Sequence, residues 1–420
     1  MREVPFADPD LDEIPAFLRR PERSPRGDSE RPVTLPPSGS GERARRRRHY
    51  RRSAWRRRSV LLVVVGALVA TAVTVLAIRP WHSGGAHPAA RPSSGASSHL
   101  APLPSSAVLV DQDATGAASS ITLLVASPTG RGGRVVFAPP ATMTEVPSFG
   151  LDALGRALTL GGTPLFQVTL ENLLGVPLPS PTIVKDPQLA AFVQAAGPLQ
   201  VDVPDRVEQT DARGTVNILW SEGPATLAPV DVPRFLSTPA EGNDLARLAR
   251  HQSFWTAWLA AVGRDPGTAA ALPADMAKVV RSLAAGTTSY ETLPVEAVDA
   301  GTGGDEVYRV KQGDLDQLMH QLLPGTRPPR VRVQVLNGTG ALGVALKAAQ
   351  RLVPAGAQVT LSGNADSFAY AQTQIVFYDR SRQQVATQVR DALGTGKLVL
   401  SRQPLDVVDV TVVIGRDFRG

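Results

Sequence analysis

A run of twenty uncharged residues, Ser59 to Ile78, constrains the fold of this chain more than any other feature. A helix of that length rises about 1.5 Å per residue and so spans the roughly 30 Å hydrocarbon core of a bilayer. Ten arginines occupy the sixteen positions from Arg43 to Arg58. Because basic flanks stay in the cytoplasm, the run predicts a single-pass anchor with residues 1–58 inside the cell and the later residues outside.

A cleaved signal peptide is the alternative, but its apolar segment is only about 7 to 15 residues long. Here 58 residues precede a longer run, which favours an uncleaved anchor. Residues 1–58 hold 16 arginines and 9 acidic residues, whereas the remainder holds 28 basic and 29 acidic residues. This basic tail is expected to be disordered and to contact anionic lipid headgroups rather than nucleic acid.

Within the tail, Asp10 to Arg20 carries apolar residues at helical spacing. The segment could dock on a cytoplasmic protein, and chance spacing is the alternative. The chain has no cysteine, which excludes disulfides, thiolate metal sites and a cysteine nucleophile. The six histidines are scattered, and no serine-hydrolase elbow, H-E-x-x-H motif or P-loop is present, so no metal site or cofactor is predicted.

The part after the anchor begins with a Pro/Gly/Ser-rich spacer, from which the first ordered domain emerges near Ala107. Short β-branched runs then alternate with helical patterns, which predicts a layered α/β domain. The predicted strands are Ser120 to Ala126, Gly133 to Phe137, Leu199 to Val203, Tyr290 to Val298 and Val307 to Val310. The predicted helices are Leu165 to Gly175, Asp244 to Val262 with Asn243 as its N-cap, and Asp314 to Leu323.

A second linker, Pro324 to Pro329, precedes a unit of about 90 residues with two strand–helix–strand repeats. Its segment V-L-N-G-T-G-A-L-G places Gly338, Gly340 and Gly343 in a G-x-G-x-x-G pattern between a predicted strand and helix. That pattern is typical of dinucleotide binding, but the unit is too small for a doubly wound sheet. A structural turn capped by Asn337 is the preferred interpretation, and binding of another anion or of a glycan at the turn stays open.

Arg247 and Arg250 are three residues apart on one predicted helix, so their side chains lie on one face. Two guanidiniums so placed can hold a diphosphate through paired hydrogen bonds. The alternative is that Asp244 pairs with Arg247 on a solvated face.

Three segments resemble landmarks of the LytR-CpsA-Psr (LCP) family of cell-envelope proteins: Leu160 to Pro177, Phe192 to Pro204 and Asp244 to Gln252. Val331 to Phe418 resembles the LytR C-terminal domain that often follows it. The resemblance implies a three-layer α/β domain and then a small two-layer α/β domain, both extracytoplasmic. The abundance of Ala, Arg, Gly and Pro indicates a high-GC bacterium, such as an actinobacterium.

The family resemblance also implies an activity, the transfer of a glycopolymer from a polyprenyl pyrophosphate carrier to peptidoglycan in cell-wall biogenesis. Arginines and a carboxylate-bound magnesium ion would stabilise the charge on the leaving diphosphate. Asp244, Arg247, Arg250 and Gln252 stand where the family has its helix motif, and they are the candidate pyrophosphate-binding residues. His251 replaces the usual glutamine.

Other charged positions of the family pattern are neutral in this chain. By alignment, one arginine and aspartate pair of the family falls at Ala117 and Ser119, and a second pair falls at Pro140 and Ala141. A further arginine of the family falls at Ser237. The leading hypothesis is therefore a non-catalytic, pseudo-enzyme relative that binds a polyprenyl-linked glycopolymer or cell-wall glycan.

The alternative hypothesis is an active phosphotransferase that uses magnesium and takes its acidic residues from elsewhere, such as Asp111 or Asp113 upstream of the first predicted strand. A transcriptional regulator is a third hypothesis, but the tail has no helix-turn-helix pattern. The predicted domains are the tail 1–58, the transmembrane helix 59–78, the linker 79–106, a degenerate LCP-like domain 107–324, a linker 325–330 and a LytR C-terminal domain 331–420.

Overall fold

The computed structural model describes residues 103, 105–211, 213–240, 244–298, 306–323, 329–401, 403 and 407–420. The predicted tail, anchor and most of both linkers lie outside these residues, as does the predicted cap Asn243. None of the helices in the described part has the length and apolar character needed to cross a bilayer.

The residues before the second linker form thirteen described strands and six described α-helices. The strands are β1 Ser106–Gln112, β2 Ala118–Ala126, β3 Gly133–Phe137, β4 Met143–Val146, β5 Gly150–Ala153, β6 Thr182–Val184, β7 Leu199–Val203, β8 Val207–Thr210, β9 Val216–Trp220, β10 Gly223–Leu227, β11 Thr288–Thr292, β12 Val295–Val298 and β13 Val307–Val310. The helices are α1 Arg156–Leu174, α2 Asp186–Val193, α3 Val232–Ser237, α4 Asp244–Arg264, α5 Ala274–Ala284 and α6 Gln312–Leu322.

A five-stranded sheet in the order β11-β3-β2-β1-β6 is the centre of this domain. The neighbours β1, β2 and β3 are antiparallel, whereas β6 runs parallel to β1 and β11 parallel to β3. Strand β1 was not predicted, and Asp111, which was expected upstream of the first strand, lies inside it. The polar residues Asp111 and Gln112 at its end make the strand hard to recognise in the sequence.

Both faces of this sheet are covered, because alternate residues of one strand enter two separate apolar clusters. In β1, Val108 and Val110 belong to the cluster that includes α1 and α6, whereas Ala107 and Leu109 belong to the cluster on the other face, which includes α2 to α5. Side chains of a strand alternate between faces, so two covered faces require two helical layers. The predicted α/β class is confirmed.

The second cluster is centred on aromatic residues of α4. Phe254, Trp255 and Trp258 are almost fully buried, with ring centroids 5.0 to 5.7 Å apart. Each such ring removes a large apolar area from water, which makes these residues strong contributors to stability. The predicted helix Asp244 to Val262 is confirmed, and it extends to Arg264.

Four two-stranded antiparallel pairs surround the central sheet: β4 with β5, β7 with β10, β8 with β9 and β12 with β13. The segment predicted as one strand from Tyr290 to Val298 is two strands, β11 and β12, because Leu293 and Pro294 separate them. Proline has no backbone N–H for a ladder, which accounts for the break.

The C-terminal unit contains β14 Val331–Asn337, α7 Val344–Leu352, β15 Ala357–Asn364, β16 Gln374–Phe377, α8 Gln383–Leu393, β17 Lys397–Leu400 and β18 Val410–Ile414. Its sheet has the order β15-β14-β18-β16-β17. The two parallel strand–helix–strand repeats lie on either side of β18, which is parallel to β14 and antiparallel to β16. The predicted repeats therefore share one sheet.

Asn172 of α1 joins the first domain to the edge strand β15. Its Nδ2 donates to the Val359 carbonyl oxygen at 2.8 Å, and its Oδ1 accepts from the Val359 N–H at 2.9 Å. The side chain thus takes the place of a neighbouring strand and satisfies both polar groups of one edge residue. Asn172 is buried, and Arg330 donates to its carbonyl oxygen.

The β4–β5 hairpin makes a second contact with β15. Ser362 donates to the Glu145 carboxylate and accepts from the Ser148 N–H at 3.1 Å. Burial raises the pKa of Glu145, and the Ser362 hydrogen bond opposes part of that rise. The apolar cluster of α1 and α6 also continues into the core of the C-terminal unit. The two domains are therefore joined by both apolar and polar contacts.

We expect Asn172→Ala to lower the free energy of unfolding by about 2 kcal/mol, because a buried N–H and C=O of Val359 lose their partners. Asn217→Ala, at an exposed position of β9, is the matched control and should change stability by less than about 0.5 kcal/mol. Denaturant unfolding of the full chain in detergent measures both values. Equal stability of the two variants would contradict the bridging role of Asn172.

Candidate functional site

An open cleft of about 600 Å³ lies where the parallel strands β1 and β6 end. In α/β sheets, the carboxyl ends of parallel strands are the usual position of a ligand site. The loop after β1, the start of α2 and the end of α3 form its walls. The lining residues are Gln112, Asp113, Ala114, Thr115, Gly116, Ser119, Lys185, Asp186, Pro187 and Ser237.

Asp111 lies in β1 directly before this lining. Its side chain is buried, and its Oδ1 has no hydrogen-bond partner among the described residues. Burial raises the pKa of the Asp111 carboxyl from 3.8 to about 7, and the charge of Asp186 adds to the rise. Ser119 and Arg247 oppose it. The carboxyl group is therefore near its titration midpoint at neutral pH.

Asp113 has a different role from Asp111, because it is exposed and organises the loop after β1. Its Oδ1 accepts from the N–H groups of Thr115 at 2.8 Å and Ala117 at 3.1 Å. These bonds satisfy backbone donors that would otherwise face solvent, and they fix the loop that forms one wall of the cleft.

The two candidate arginines of α4 are buried against the end of α3. Arg247 Nη1 donates to the Leu236 carbonyl oxygen at 2.9 Å, and Arg250 Nη1 donates to that of Phe235 at 3.0 Å. Arg250 Nη2 also donates to the Thr238 carbonyl oxygen. The last carbonyl groups of a helix have no partner within it, and a guanidinium also balances the negative end of the helix dipole.

Arg247 also reaches from this helix end to the cleft wall. Its Nη2 donates at 2.9 Å to the carbonyl oxygen of Ser119, which lines the cleft. Arg250 is fully buried, and its Nε lies 3.7 Å from Asp205 Oδ1. The spacing of the two arginines correctly predicted a shared face, but that face points inward.

His251 lies beside both arginines and is buried. Burial lowers its pKa to about 3, and the charge of Arg247 adds to the effect. The ring is therefore neutral at physiological pH, with Nε2 placed 3.2 Å from the Leu236 carbonyl oxygen. It provides a further polar partner for the end of α3.

Asp244 and Gln252 complete the predicted set. Asp244 is the first residue of α4, and its side chain lies outside the described part of the structure. Gln252 is exposed and does not line the cleft. The structure thus brings together Arg247 and Arg250, but not Gln252. A pyrophosphate contact by this set stays a prediction.

Two positions at which the resemblance expects charged residues do line the cleft. Ser119 and Ser237 are both in its wall, whereas Ala117, Pro140 and Ala141 are not. Sequence reasoning did not find Lys185 and Asp186, because the short strand β6 before them was not recognised. Within the described ranges, no three His, Asp or Glu side chains are grouped closely enough to hold a metal ion.

The second candidate site is the turn after β14. Asn337 Oδ1 accepts from the N–H groups of Thr339 at 3.0 Å and Gly340 at 3.1 Å, and its Nδ2 donates to the Ala341 carbonyl oxygen at 2.9 Å. Gly340 and Gly343 have φ angles of 73° and 72°, a region that favours glycine. Gly343 is the N-cap of α7.

We expect Asp111→Asn to stabilise the folded chain increasingly as pH rises from 4 to 7. Because the folded-state pKa of Asp111 is raised, its stabilising contribution is complete below about pH 4 and is lost as pH approaches 7. Asparagine stays neutral, so the gain over wild type should reach about 2 to 4 kcal/mol at pH 8.

Thermal unfolding of the full chain in detergent at several pH values measures this difference. Asp275→Asn, at an exposed position of α5, is the control and should show no growing gain between pH 5 and 8. A stability difference for Asp111→Asn that stays constant over that range would contradict the raised pKa.

Comparison with known proteins bears on the C-terminal unit first. Residues 330–418 match the model of the LytR_C family, described as LytR cell envelope-related transcriptional attenuator. None of the curated protein sequences matches the chain.

Solved structures are similar to this chain at low identity. Bacillus subtilis TagV matches at 13% identity over 54% of this chain and 100% of its own, with a TM-score of 0.43. B. subtilis TagT matches at 16% identity over 55% and 92%, with a TM-score of 0.43. The LytR-CPS2A-psr family protein YwtF (TagT) with bound octaprenyl pyrophosphate matches at 15% identity over 55% and 92%, with a TM-score of 0.40. The resemblance of the C-terminal unit to a LytR C-terminal domain is thus confirmed, whereas the LCP-like character of the first domain stays a prediction.

Proposed function

We propose that this chain is a membrane-anchored, extracytoplasmic cell-envelope protein that binds the phosphate end of a polyprenyl-linked glycopolymer without transferring it. The ligand class comes from the sequence resemblance to the LCP family. The location of the binding site comes from the cleft at the ends of β1 and β6. The family match of residues 330–418, whose description names the cell envelope, supports the cellular context.

The observation that carries the proposal is the set of hydrogen bonds that Arg247 and Arg250 donate. Their guanidiniums donate to main-chain carbonyl groups at the end of α3, so they act first as supports of the cleft wall. Transfer from a pyrophosphate requires donors aimed at the charge that develops on the leaving group. The family resemblance expects charged residues at two positions of the cleft wall, but this chain has the neutral residues Ser119 and Ser237 there. This difference favours binding over catalysis.

Binding a phosphate requires fewer positioned charged groups than transferring it. Lys185 is exposed at the cleft and precedes α2, so its ammonium group can meet a phosphate in solvent-accessible space. The hydroxyl group of Ser237 lies in the same lining and can donate a hydrogen bond to a phosphate oxygen, whereas those of Thr115 and Ser119 already donate to Asp113 and to the Asp111 carbonyl oxygen. Asp113 and Asp186 oppose a high anion affinity, so we expect moderate binding.

One observation favours the alternative, an active phosphotransferase. Asp111, the residue before the cleft lining, has a buried carboxyl with a pKa of about 7, and a general base works best with a pKa near the operating pH. Such a carboxylate could accept a proton from the hydroxyl group of an acceptor glycan. The two hypotheses therefore differ in turnover and in its dependence on magnesium.

We expect Lys185→Ala to weaken binding of a short-chain polyprenyl pyrophosphate at least about tenfold, because a charge-assisted hydrogen bond contributes about 1.5 to 3 kcal/mol. Lys278→Ala, at an exposed position of α5, is the matched control and should bind like wild type. The measurement is a titration of the full chain in nanodiscs, with and without magnesium. Lys185 is preferred to the arginines because their removal would also disturb α3.

Affinity that is independent of magnesium, without turnover, supports the proposal. Magnesium-dependent cleavage that is lost in Asp111→Asn would establish the transferase instead. Absence of binding by the wild type would leave a scaffold without a carrier site.

A further inference from the structure

Three loops meet at one end of the C-terminal sheet, where the parallel strands β14, β15 and β18 finish. Backbone hydrogen bonds join the loops: Tyr370 N–H donates to the Gly338 carbonyl oxygen at 3.2 Å, and Gly338 N–H donates to that of Ile414 at 3.0 Å. Arg416 N–H in turn donates to the Tyr370 carbonyl oxygen at 3.0 Å. The loops therefore form one connected surface at the position that α/β sheets commonly use for ligands.

The glycines of the G-x-G-x-x-G segment support two aromatic rings on this surface. A Cβ atom at Gly338 would lie 2.8 Å from Tyr370 Cδ2, and one at Gly340 would lie 3.2 Å from Phe368 Cγ. Any side chain at these positions would push against the rings. The absence of a Cβ thus lets both rings approach the turn, which gives these two glycines a role that the dinucleotide pattern does not supply.

The same geometry argues against a phosphate at this turn. Asn337 Oδ1 already accepts from the N–H groups of Thr339 and Gly340, which are the donors a bound phosphate would need. The ring of Phe368 lies over Gly340, where close approach of a pyrophosphate to the backbone would occur. An anion is therefore a poor fit.

The exposed groups have a mixed apolar and polar character. Phe368 is 49% exposed, and Leu342 in the adjoining loop is 99% exposed. Tyr370 is half-buried, and its hydroxyl donates to Asp366 Oδ1 at 2.8 Å. Asp366 and Arg416 are both exposed and carry opposite charges. Such a surface suits an uncharged ligand with both apolar faces and many hydroxyl groups.

We propose that this surface, formed by Leu342, Asp366, Phe368, Tyr370 and Arg416, is a glycan-binding site. A pyranose ring presents a face of C–H groups that can stack on the exposed ring of Phe368. Its hydroxyl and acetamide groups can meet the carboxylate of Asp366 and the guanidinium of Arg416. The site is separate from the cleft of the first domain, and it does not require that the cleft bind a carrier.

The test is a titration of the full chain in detergent with a β-1,4-linked N-acetylglucosamine hexamer, followed by calorimetry or ligand-observed NMR. Phe368→Ala should weaken binding at least tenfold, because an aromatic ring at the centre of a contact is a typical hot spot. Phe149→Ala is the matched control, since Phe149 is 51% exposed in the first domain. Phe368→Tyr keeps a ring and should retain affinity within about threefold.

Unfolding temperatures of all variants establish that they are folded. Lys185→Ala should bind the hexamer like wild type, which separates this site from the cleft. The proposal is overturned if the wild type does not bind the hexamer, or if Phe368→Ala and Phe149→Ala bind it equally. It is also overturned if a peptidoglycan stem peptide, and not the hexamer, shows the dependence on Phe368.

Discussion

The candidate site depends on the hydrogen bonds of Arg247 and Arg250 to the end of α3. These bonds join α4, α3 and, through the Ser119 carbonyl oxygen, the first residues of β2. The carbonyl groups at a helix end would otherwise be buried without partners, at a cost of about 1 to 3 kcal/mol each. Arg247 and Arg250 therefore serve as structural donors first, and the cation that faces the cleft is the exposed ammonium group of Lys185.

The contact between the two domains uses the same principle, because a side chain forms hydrogen bonds to main-chain groups that would otherwise lack partners. The Asn172 amide pairs with the N–H and C=O of Val359 in the edge strand β15, as a residue of a further strand would. An open edge is a site for unwanted pairing, so its closure by α1 both protects the sheet and fixes the C-terminal unit on the first domain. The turn at Asn337 repeats this use of an amide, which there satisfies two consecutive N–H groups.

Much of the fold could be predicted, because periodicity reports local structure. The bounds of β3, β7 and β13 agree with the sequence prediction, and the burial of Trp255 and Trp258 follows from the apolar spacing of α4. The site was harder to predict, because it forms where β1 pairs with β6, which follows about 70 residues later in the chain. Neither strand is evident alone, since β1 ends in polar residues and β6 has three residues. Spacing placed Arg247 and Arg250 on one face, but could not tell whether that face pointed to solvent or to carbonyl groups.

Burial decides how Asp111 should be interpreted. A carboxyl with a pKa of about 7 carries on average only part of a negative charge at neutral pH, so it repels a phosphate less than an ionised aspartate does. A phosphate bound in the neighbouring cleft would raise that pKa further and favour the protonated form. A bound divalent cation would act in the opposite direction and favour the carboxylate. The protonation state of Asp111 therefore depends on the charge of any ion that binds in the neighbouring cleft.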